Sequence, residues 1–68
     1  MDVSQFENIV EVVTKGIDVF EDKSRFNEWM RQPNKALGGK SPLSLIDSDA
    51  GIKDILDVLG RIKHGVYS

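Results

Sequence analysis

The stretch Asp49-Ala50-Gly51-Ile52-Lys53-Asp54-Ile55-Leu56-Asp57-Val58-Leu59-Gly60-Arg61-Ile62-Lys63-His64-Gly65 reads as one amphipathic helix. Ile52, Ile55, Leu56, Leu59 and Ile62 recur at helical spacing, which gathers them on one face of an α-helix and would scatter them over both faces of a strand. Asp49, Asp54 and Asp57 come early and Arg61 and Lys63 late, an order that complements the partial charges at the two helix ends. Asp47-Ser48-Asp49 supplies capping oxygens at the start, and Gly65 reads as the C′ glycine that ends the helix.

Working back from that helix, the punctuation stays helical. Ser41-Pro42 reads as an N-cap followed by a first helical residue, leading a short helical turn with Leu43, Leu45 and Ile46. Residues 34–40 are a loop by composition, with Gly38-Gly39 suited to the positive φ of a tight turn. Before it, Phe26, Trp29 and Met30 make one face of a second helix, about 23–32, capped by Asp22. Pro33 stops that helix, because the residue before a proline is pushed out of the α region.

At the front, Phe6, Ile9, Val10, Val13, Ile17 and Phe20 follow the spacing of a core-facing stripe, with Ser4 and Glu7 as a capping box. Gly16 and the β-branched residues weaken the intrinsic propensity, so packing must hold this helix. Val12 and Val19 fall off the stripe and give a second apolar face, expected to serve self-association. No segment alternates with period two for long enough to be a strand. The expectation is an all-α fold: a small bundle of three main helices plus a short helical turn after a Gly-rich loop, in a single domain spanning 1–68.

Composition narrows the function. A chain of 68 residues supports one domain with a small core, and a net stability on the order of 3–5 kcal/mol. It has no cysteine, which excludes disulfides and thiolate metal sites and suits a reducing, cytoplasmic setting. A single histidine does not make a zinc site by itself. No apolar run approaches the roughly 20 residues of a membrane span, and the first residues lack a signal peptide's basic start. The net charge of −2 gives no global attraction to nucleic acid. Charge is nevertheless uneven: six acids and one base, Lys15, up to Asp22, then five bases and one acid, Glu28, from Lys23 to Lys40. Such stretches are solvated faces in the first instance, and basic docking patches in the second.

No constellation reads as catalytic. His64 lacks an orienting partner in sequence. Asp54 and Asp57, one turn apart, share their strip with Lys53 and Arg61 and read as solvated surface. Gly38-Gly39-Lys40-Ser41 lacks the first glycine and the preceding strand of a phosphate-binding loop. Tyr67, beyond the helix stop, either folds back onto the domain or inserts into a partner.

Two longer runs carry more. Trp29-Met30-Arg31-Gln32-Pro33-Asn34-Lys35-Ala36-Leu37-Gly38-Gly39-Lys40-Ser41-Pro42-Leu43-Ser44-Leu45-Ile46-Asp47 resembles the central motif of the Xre/MbcA/ParS-type antitoxin toxin-binding domain, W-L/M-x-x-P-N-x-A-L-G-G-x-x-P-L-x-L-L-D. Gly60-Arg61-Ile62-Lys63-His64-Gly65-Val66-Tyr67 resembles its ending, G-R-I-x-x-G-V/I-aromatic. The resemblance implies an antitoxin that neutralises a RES-domain toxin, an enzyme that degrades NAD or transfers ADP-ribose from it, by covering its active-site cleft with the C-terminal segment. It implies no cofactor, and it puts toxin contact on Arg61, His64, Gly65, Val66, Tyr67 and Ser68. Pro33, Asn34, Leu37, Gly38, Gly39 and Pro42 match the central motif as architecture. Family members carry a helix-turn-helix domain ahead of this one and often dimerise. Here one acidic helix precedes the motif, so DNA binding through this chain is not expected, and a homodimer is. The alternative is a structural homodimerisation module of a larger regulatory protein.

Overall fold

The computed structural model describes residues 3–65. The chain forms α1 (Val3–Phe20), α2 (Lys23–Arg31), a first 3-10 turn (Lys35–Leu37), a second 3-10 turn (Pro42–Leu45) and α3 (Asp49–Gly65). The all-α expectation holds, with three helices and no strand among the described residues. α1 packs chiefly against α3, while α2 and the two 3-10 turns close the remaining side.

The caps explain the element starts. Asp22 accepts from the Ser24 N–H at 2.8 Å and opens α2, which ends with Gln32 extended ahead of Pro33. Ser41 accepts from the Ser44 N–H at 3.3 Å ahead of Pro42 at the first turn position. Ser48 Oγ accepts from the Gly51 N–H at 3.0 Å, so of the three candidate caps for α3 it is Ser48 that acts. Two boundaries shift. α1 begins at Val3, which places Ser4 inside its first turn, and α3 runs through Gly65, so that glycine is helical and not the residue beyond the helix.

The segment read as a loop is more ordered than its composition suggests. Asn34 caps the first 3-10 turn by accepting from Ala36 N–H at 2.9 Å, and its own N–H donates to the Lys40 carbonyl at 3.1 Å. Gly39 N–H returns to the Asn34 carbonyl at 2.9 Å. The ring closes only because Gly38 and Gly39 sit at φ 70° and 83°, where a side chain is strained.

The core consists of Val12, Phe26, Met30, Leu37, Ile52, Ile55, Val58 and Leu59, with Val12, Ile55 and Leu59 fully enclosed. Complete burial of such a side chain contributes about 1.5–3 kcal/mol. The Phe26 ring lies directly on Gly16, where an added Cβ would stand 2.0 Å from it. Phe20, Phe26 and Trp29 form an aromatic group with centroids 5.6 to 6.5 Å apart. Trp29 is therefore core-packed, as its spacing with Phe26 and Met30 indicates.

The core face of α1 is rotated relative to the sequence reading: Ile9, Ile17 and Phe20 of the expected stripe pack against the core, while Phe6, Val10 and Val13 do not. Val12 is fully buried against the rest of the core, and Val19 is half-buried against it. Neither lies on the open face, which corrects their assignment to self-association. The open apolar face carries Val3, Phe6, Val10 and Val13 instead, at 70, 59, 45 and 39% exposure. The core face of α1 looks less apolar in sequence because it includes Gly16 and two amides that tie it to the start of α3. Gln5 donates to the Asp47 carbonyl at 3.3 Å and Asn8 to Asp49 Oδ1 at 3.5 Å.

Candidate functional site

Arg61, His64 and Gly65 lie on the last turns of α3, all exposed. The core beneath them ends with Leu59 and half-buried Ile62, so the helix presents these residues while its other side anchors it. Arg61 Nη2 pairs with Asp57 Oδ2 at 2.9 Å, one turn back on the same helix. Both side chains are largely exposed, and an exposed i,i+4 pair contributes only about 0.3–0.5 kcal/mol. Arg61 is thus held in direction and remains free to exchange its partner. Lys63, one face round, forms an ion pair with Asp18 and ties the end of α3 to α1. Val66, Tyr67 and Ser68 lie outside the described residues.

The helix end adjoins a groove of about 400 Å³ between α3 and α1. Lys15, Leu56, Asp57 and Gly60 line it together with Arg61, His64 and Gly65. The sequence-derived set omitted Lys15, Leu56, Asp57 and Gly60. Lys15 had one signal, as the single base among the acids of the N-terminal stretch. What the sequence did not show is that the first helix crosses the third at this point. A second hollow, lined by Asp18, Glu21, Asp22, Lys23 and Lys63, mixes both signs of charge around the Lys63–Asp18 pair.

This is the chemistry of recognition. The site offers a guanidinium with its Asp57 carboxylate, an imidazole and an ammonium beside an apolar floor. Among the described residues no group of three or more His, Cys, Asp or Glu side chains is placed to hold a metal ion. Asp54 and Asp57 are both exposed, and Asp57 lines the groove beside its partner Arg61. The bases between Lys23 and Lys40 are all exposed, scattered over α2, the first turn and the residue after Gly39. No helix of the described residues is long and apolar enough to cross a membrane.

The model of the antitoxin Xre/MbcA/ParS C-terminal toxin-binding domain matches residues 15–65. Among curated proteins, the chain is 40% identical over 60 residues to an antitoxin Xre of Yersinia enterocolitica, covering 87% of this chain and 40% of the relative. It is 37% identical over 60 residues to an antitoxin Xre of Photorhabdus laumondii, with the same coverage of 87% and 40%. It is 33% identical over 66 residues to a Prs ADP-ribosylating antitoxin of Sphingobium, covering 97% of this chain and 41% of that one. The chain therefore spans about two fifths of the length of these relatives.

Proposed function

The chain belongs to the antitoxin Xre/MbcA/ParS C-terminal toxin-binding domain family, and from that membership we propose that it neutralises a RES-domain toxin by covering its NAD-handling active site with the end of α3 and the segment after it. The observation that carries the proposal is the placement of Arg61 and His64, exposed and side by side on the last turns of a helix whose opposite face is locked into the core. A relative named as a Prs ADP-ribosylating antitoxin supports a toxin that works with ADP-ribose. Arg61 would meet the anionic groups of such a cleft, or compete for the position of the substrate's pyrophosphate. Tyr67 would stack where a base stacks. Gly65, Val66 and Ser68 complete the covering segment.

In this reading the chain is a cytoplasmic binding module without catalysis, cofactor or nucleic-acid contact of its own. Deletion of residues 66–68, followed by titration against the cognate toxin, tests the covering segment. Loss of neutralisation is expected, and unchanged neutralisation would remove the segment from the mechanism. NAD turnover by the purified chain alone would contradict its role as a pure binder.

A second reading has an observation of its own. Val3, Phe6, Val10 and Val13 leave an apolar stripe on the outside of α1, which suits pairing with a second copy. Self-association and toxin binding use different faces, so both can hold in one protein.

A further inference from the structure

Three glycines inside the helices, Gly16, Gly51 and Gly60, divide into two kinds. Gly16 is required by packing, since a Cβ there would stand 2.0 Å from the Phe26 ring. Gly51 is required as well, since a Cβ there would stand 2.0 Å from the Leu45 carbonyl oxygen. Gly60 is different. It sits inside α3, where glycine is the poorest residue after proline, yet a Cβ on it would meet only the Lys15 amine at 3.4 Å, the mobile end of a long side chain at ordinary contact distance. No described contact within the chain asks for glycine at this position.

Gly60 forms part of the floor of the α1–α3 groove, beside the apolar Leu56. Around it stand Lys15, Arg61 and His64, with one carboxylate, Asp57, already paired with Arg61. The Lys15 amine has no hydrogen-bond or ion-pair partner among the described residues, although its side chain is half-buried over the glycine. Arg61 is engaged only by the exposed Asp57. A floor without a side chain of its own admits close approach of another backbone once the flexible end of Lys15 swings aside, and that unpartnered ammonium favours a carboxylate.

The geometry points to a docking seat at Gly60 for an acidic segment of the toxin: its backbone lies against the bare helix at Gly60, and an Asp or Glu carboxylate pairs with Lys15. The inference rests on the antitoxin reading and adds to it a residue of α1 and the chemistry of the partner surface. The seat is continuous with Arg61 and His64, so the toxin would grip both the end of α3 and its flank.

Two substitutions test it with the cognate toxin as the probe. Gly60→Ala removes the helix penalty and is expected to raise Tm by about 4 °C or more, while weakening toxin affinity by about tenfold or more through lost close approach. Gly60→Leu should weaken it further. Lys15→Glu should leave Tm nearly unchanged, weaken affinity on the order of tenfold, and make the remaining binding less sensitive to salt. A Gly60→Ala chain with lowered Tm would show that the fold itself needs the glycine, and would overturn the inference. So would wild-type affinity in both Gly60→Ala and Lys15→Glu. A wild-type chain that fails to bind the toxin would overturn the antitoxin reading beneath it, a result distinct from binding that is indifferent to the two variants.

Discussion

At the scale of single residues, the backbone carries two tensions that can be measured. Glu21, at the junction of α1 and α2, has φ 56°, the left-handed region where a non-glycine residue is uncommon. It occupies the position just past α1, and its N–H returns to the Ile17 carbonyl at 2.7 Å. Helices commonly place glycine at such a position. Glu21→Gly is therefore expected to raise stability by about 0.5–1 kcal/mol in urea denaturation; unchanged or lower stability would show that the loss of chain entropy outweighs the relief. The opposite case is Gly16. Gly16→Ala improves helix propensity but drives a methyl into the Phe26 ring. The collision should win, with a loss of about 1–3 kcal/mol as the aromatic group shifts. A gain in Tm for that variant would contradict the packing described for α1 and α2.

At the scale of elements, the rotated core face of α1 gives a paired prediction. Val12→Ala opens a void beneath α3 and should cost on the order of 2 kcal/mol, whereas Val10→Ala, on the outer stripe, should stay within about 0.5 kcal/mol. Equal losses for both would mean that α1 is turned the other way. The same rotation shows where sequence reading stops. α3 was legible because its apolar residues outnumber all others on one face and its charges follow the helix ends. α2 was legible from Asp22, Pro33 and three large apolar residues. α1 is apolar over more than one face, and its spacing brought Ile9, Ile17 and Phe20 inward as expected but set Phe6, Val10 and Val13 with them in place of Val12 and Val19. The decisive residue is Gly16, one turn after Val12, since only a bare position admits the Phe26 ring. That partner is a tertiary fact, invisible to periodicity. The site behaves in the same way: Arg61 and His64 could be picked out from the terminal motif, but Lys15 joins them only through the crossing of α1 over α3.

At the scale of the whole molecule, the question is how so small a body manages its outer apolar stripe. The described fold measures 37 × 24 × 21 Å, and a core of this size leaves little stability in reserve. Covering Val3, Phe6, Val10 and Val13 would add to it. Their spacing is that of a coiled-coil seam, which favours a facing helix. The charges beside the seam act against a second copy, because Glu7 and Glu11 are exposed on α1 without an ion-pair partner among the described residues and would meet their own kind. Apolar attraction is insensitive to modest salt, and like-charge repulsion is screened by it. Self-association of the isolated chain should therefore be weak in dilute buffer and strengthen as salt rises. Sedimentation at increasing sodium chloride concentration reads this directly. Phe6→Glu adds an acid at the centre of the stripe without touching the core, so it should keep the chain monomeric at every salt concentration while Tm at low salt stays the same. A wild-type chain that remains monomeric at high salt would leave the stripe to a different partner, and a Phe6→Glu chain that dimerises like wild type would move the dimer interface off α1.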